Sequence, residues 1–67
     1  MSSQPSNVIE SRRIDGPFAT PELAWEFARR YASALRERGM TPEYGVAVER
    51  RIQPLPPYWE VMLYRVG

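Results

Sequence analysis

Apolar residues recur at helical spacing between Leu23 and Leu35, then at every second position in two later segments, and these two periods predict the fold. Leu23, Ala24, Phe27, Ala28, Tyr31, Ala34 and Leu35 fall on one helical stripe. Thr20 suits the N-cap, Pro21 the first turn, and Glu22 the positive end of the helix dipole. Gly39, following Arg36 and Arg38, is placed as a C-terminal stop. A helix from about Pro21 to Arg38 is thus expected, roughly 27 Å long at 1.5 Å per residue. Trp25 lies off the apolar stripe, beside Arg29, Ala32 and Arg36 on the outer side.

The strands follow from the period of two. From Tyr44 to Ile52, Tyr44, Val46, Val48 and Ile52 share one face, and Gly45, Ala47, Glu49 and Arg51 the other. Pro54, Pro56 and Pro57 end that strand, because proline cannot donate to a ladder. In the last segment, Tyr58 to Val66, Trp59, Val61 and Leu63 form one apolar face. Tyr58, Met62, Tyr64 and Val66 make the opposite face apolar too, interrupted by Glu60. Val8 to Ile14 is a weaker strand, with Asp15-Gly16-Pro17 as a turn after it. Met1 to Asn7 is polar, contains Pro5 and is expected to be a disordered tail. Residues 8–67 therefore form one small α+β domain of order β-α-β-β, a mainly antiparallel three-stranded sheet with one helix on one face. The first strand belongs beside one of the other two, and the sequence leaves open which.

Length sharpens this picture. A chain of 67 residues buries only about 60% of its unfolded surface and is marginal as a lone domain. Small domains usually add a disulfide, a metal or a partner subunit. Cysteine and histidine are both absent, so neither a disulfide nor an ordinary zinc site is available, and no metal or other cofactor is expected. Self-association is the remaining aid to stability, and the second apolar face of the last strand directs it to a homodimer through Tyr58, Met62 and Tyr64. No stretch is long and apolar enough to cross a membrane, and the N-terminus lacks the pattern of a signal peptide. The expected compartment is the cytoplasm.

Charge excludes more than it identifies. The net charge is +1, too small for a strong nucleic-acid footprint. All nine basic residues are arginine, which fits either a GC-rich coding genome or use of the planar guanidinium in recognition. Most of the carboxylates stand near arginines and read as solvated ion pairs, and nucleophilic triads that need Cys or His are impossible. A catalytic role is not expected. Trp25 with Arg29 and Arg36 reads either as a tryptophan tucked over the sheet edge or as a hot spot for a protein partner. The doublets Arg12-Arg13 and Arg50-Arg51, with the aromatic strand face, offer an alternative nucleic-acid surface, although no RNA-recognition motif accompanies them. A small-molecule pocket is not favoured by one helix on three strands. The leading expectation is a non-catalytic protein-binding module, a small homodimeric accessory or inhibitor protein.

The stretch GPFATPELAWEFARRYASALRERGMTP resembles one half of a sporulation-related repeat (SPOR) domain. In that family a strand ends in glycine and phenylalanine before an alanine-rich helix, positions filled here by Gly16, Phe18, Ala24 and Leu35. The family domain contains two βαβ repeats and binds denuded peptidoglycan, so the resemblance implies a glycan-binding half-domain. It covers under half of the chain and carries over no binding residue.

Overall fold

The computed structural model describes residues 8–67, and the tail expected over residues 1–7 lies outside the described residues. The helix α1 (Pro21–Glu37) begins as its caps dictate: the Leu23 N–H donates to Thr20 Oγ1 at 3.3 Å, with Pro21 in the first turn. At its other end Gly39 adopts φ +70, a left-handed conformation open to glycine without strain. Met40 N–H then donates to Leu35 O at 2.9 Å and Gly39 N–H to Arg36 O at 3.0 Å. That pair of bonds is a Schellman closure, and it satisfies carbonyls the helix would otherwise leave open.

Three strands flank the helix in sequence: β1 (Val8–Phe18), β2 (Tyr44–Arg51) and β3 (Tyr58–Val66). Their order in the sheet is β1-β3-β2, with both outer strands antiparallel to β3. The last strand in sequence is therefore the middle one in space, and β1 and β2 run parallel to each other on either side of it. The expected α+β architecture is present, with α1 packed against a three-stranded antiparallel sheet.

Strand β1 differs from its sequence reading. It does not stop at Ile14 but continues through Asp15-Gly16-Pro17 to Phe18, which lies opposite Trp59. The register shifts between Arg13 and Asp15 and again between Asp15 and Phe18, so this segment bulges within the strand instead of reversing it. Gly16 makes the bulge possible. Its φ is +132, and a Cβ there would lie 3.2 Å from both Glu60 Cα and Trp59 O. The Asp15 carboxylate accepts the Gly16 N–H at 2.8 Å and holds the bulge from the side.

Two alanines set the height of the helix above the sheet. Ala24 and Ala28, one turn apart, are buried against Val61 at the centre of β3. Around this contact sit Ile14 and Phe18 from β1, Phe27 from α1, Val46 and Val48 from β2, and Trp59. The helix packs most on β2, less on β3 and least on β1. Leu23, on the β1 side of the predicted stripe, therefore overhangs the sheet and is 51% exposed. Further along that side, Phe18, Phe27 and Tyr31 form a row with successive ring centroids 6.0 Å apart.

Two expectations test this packing. Ala24→Leu should destabilise the domain by about 1–3 kcal/mol in chemical denaturation, because Ala24 is fully buried against a fully buried Val61. Gly16→Ala should destabilise it by about 1–3 kcal/mol, through positive-φ strain and contact with β3 backbone.

Candidate functional site

Alternation along β3 sends Tyr58, Glu60, Met62 and Tyr64 to the face away from α1. Register then decides their neighbours. Arg13 lies opposite Met62 and Ser11 opposite Tyr64 on β1. On β2, Arg51 lies opposite Tyr58, Glu49 opposite Glu60, Ala47 opposite Met62 and Gly45 opposite Tyr64.

The centre of this face is ionic. Arg13 Nη1 donates to Glu60 Oε2 at 3.1 Å, and Arg51 Nε donates to Glu60 Oε1 at 2.9 Å. Arg51 Nη2 also approaches Glu49 Oε1 at 3.8 Å, which relieves the repulsion between two glutamates placed directly opposite each other. Glu60 is only 7% exposed although it lies on the face away from α1, with an arginine on each of its carboxylate oxygens. The hydrogen bond from Arg51 holds the Glu60 carboxyl below the usual range, reinforced by Arg13 and opposed by burial. The same bond raises the Arg51 guanidinium, with Glu49 adding to it.

Aromatic cover completes the face. The Tyr64 ring lies over Gly45, where any Cβ would overlap it. Met62 is 8% exposed in the single chain. Of the three residues expected at a dimer interface, Tyr58 and Tyr64 are half-buried, and Met62 is already withdrawn from solvent.

The strand arginines do not form one surface. Arg13 and Arg51 lie on the outer face and are both engaged by Glu60. Arg12 and Arg50 point to the helix side, opposite Leu63 and Trp59 respectively. Those two levels are separated by about 13 Å at 3.3 Å per residue. Period-two alternation within each doublet is the physical reason for the division.

The helix outer face carries its expected residues on one stripe, spread over its length. Trp25 is 49% exposed, and Arg29 and Arg36 are exposed on the same stripe, about 6 Å and 16 Å further along the axis. Among the described residues neither arginine has a carboxylate within ion-pair distance, whereas the adjacent Arg30 Nη2 is paired with Glu26 Oε1 at 2.9 Å. Trp25 is also outside the cluster of side chains packed on the core.

Glu60 is the residue the sequence undervalued. Its identity as the polar break in an apolar strand was visible, but its two partners depend on a strand order that was not.

The depressed Glu60 carboxyl has a stability consequence of definite sign. Its contribution is present above the ordinary glutamate value of about 4.3 and is lost as pH falls through the lower folded value. Glu60→Gln should cost on the order of 1–3 kcal/mol near neutral pH. It should also flatten the acid limb of a plot of thermal midpoint against pH.

No protein-family model matches the chain, and comparisons with the curated proteins and with the solved structures give no match. The sporulation-related resemblance therefore stands on Gly16, Phe18, Ala24 and Leu35 alone.

Proposed function

We propose that this protein is a non-catalytic binding module that recognises a partner protein through the outer face of α1. The observation that carries the reading is Trp25, half exposed on a regular helix and aligned with two arginines that no carboxylate engages among the described residues. A large indole and unpaired guanidiniums are the groups that dominate binding energy at protein interfaces. Their chemistry favours a partner segment with an apolar residue flanked by aspartate or glutamate.

The absence of catalysis is supported by Glu60. It is the buried carboxylate among the described residues, and its pKa is pushed down, away from the value a general acid or base needs near neutrality. The helix face is favoured over the outer sheet face, because Glu60 and Met62 are already shielded and offer little area to a second chain. It is favoured over nucleic acid because Arg13 and Arg51 are engaged by Glu60, with Glu49 adding a second negative charge beside Arg51.

Selection of a displayed peptide library on the immobilised protein tests the reading. Acidic sequences containing an apolar anchor should be enriched. Trp25→Ala should lose about tenfold or more in affinity for them while keeping its thermal midpoint within a few degrees. Equal binding by the variant overturns the proposal, as does a large loss of stability, which would make Trp25 a packing residue. A polyanion partner would instead show affinity falling with log[salt] at a slope of about −0.9 per phosphate contact.

A further inference from the structure

Because α1 leans away from β1, the helix-facing side of the sheet is left open beneath the C-terminal half of the helix. Two adjoining hollows occupy this space, about 320 Å³ and 300 Å³, and they share Arg12, Tyr44 and Leu63 in their walls. Each lies at the lower end of the range of about 300–1,000 Å³ that small-ligand sites occupy. Sheet register explains the composition. One row across the strands reads Glu10, Arg65, Tyr44, and the next reads Arg12, Leu63, Val46. From above, α1 and its Schellman turn add Tyr31 and Arg38.

The charges in this cleft are unbalanced. Arg12, Arg38 and Arg65 face one carboxylate, Glu10. Among the described residues, Arg12 and Arg38 have no carboxylate within ion-pair distance. Arg65 Nε is 3.6 Å from Glu10 Oε1, close enough for attraction but beyond a hydrogen bond, and it is buried without an acceptor. The rest of the Arg65 side chain reaches solvent, so this one N–H is the group left short of a hydrogen bond. The helix C-terminus opposes an anion with about half a unit of negative charge. Its carbonyls at Ala34, Leu35 and Arg36 are already bonded, and the two guanidiniums in excess over Glu10 outweigh what is left.

We infer that this cleft binds a small oxyanion, a carboxylate or phosphate carried on a flat apolar body. Arg12 and Arg38 hold the oxyanion in forked hydrogen bonds. Leu63 forms the floor, and Tyr31 and Tyr44 supply aromatic walls for the body. The site is separate from the outer stripe of Trp25, Arg29 and Arg36, so the two proposals stand or fall independently.

Amide-resolved NMR titration with phenyl phosphate, benzoate and inorganic phosphate tests the assignment, the first two distinguishing phosphate from carboxylate. Saturable shifts are expected around residues 10–12, 38–44 and 63–65 with at least one of the aromatic anions. Inorganic phosphate should bind about tenfold more weakly or less, since it cannot use Leu63 and the tyrosines. Arg12→Gln and Arg38→Gln, both at exposed positions, should each weaken binding about tenfold, whereas Arg29→Gln should leave it unchanged. Absence of saturation in the millimolar range with both aromatic anions overturns the inference. So does unchanged affinity in the two cleft variants. Equal affinity for inorganic and phenyl phosphate overturns the role of the apolar walls.

Discussion

The seat of Ala24 and Ala28 on Val61 is the contact from which the remaining structure follows. Val61 is the largest side chain that is fully buried, and it belongs to the central strand. Residues without side-chain bulk on the helix allow close approach to the sheet, where dispersion contacts are dense. A helix held this close can cover only part of a three-stranded sheet. It covers β2 and β3 and leaves the inner side of β1 to an aromatic row and, beyond Tyr31, to an open cleft.

On the opposite side the same sheet is closed by charge. Glu60 draws in one arginine from each edge strand, so the three strands are tied together above their backbone ladder as well as within it. The tie also sorts the arginines. Arg13 and Arg51 are engaged by Glu60, while among the described residues Arg12, Arg29, Arg36 and Arg38 have no carboxylate within ion-pair distance.

Local patterns in the sequence carried much of this. Both caps of α1, the alternation of β2 and the limits of β3 are set by neighbours a few residues apart, and each was readable. What was not readable depended on pairing across the chain. Asp15-Gly16-Pro17 has the composition of a turn, yet the adjacent β3 backbone makes it a bulge. Leu23 fits the apolar stripe by angle, but the lean of the helix leaves it over the edge. For Glu60 the missing information was the strand order that supplies Arg13 and Arg51. The cleft had a partial signal: Arg12 alternates with Ile14, a core residue, which places it on the helix side. Tyr31 and Tyr44 likewise stand on apolar faces and read as packing residues until the position of the helix is known.

The central position of β3 also bears on the order in which this molecule can come into being. A ribosome delivers β1, α1 and β2 first, and none of their backbone ladders can close, since neither edge strand pairs with the other. Ala24 and Ala28 likewise lack their central seat, because Val61 has yet to be added. Neither backbone ladder can close until Tyr58–Val66 has emerged. That one segment supplies the pairing partner of both other strands, so the whole sheet depends on the last element to be made.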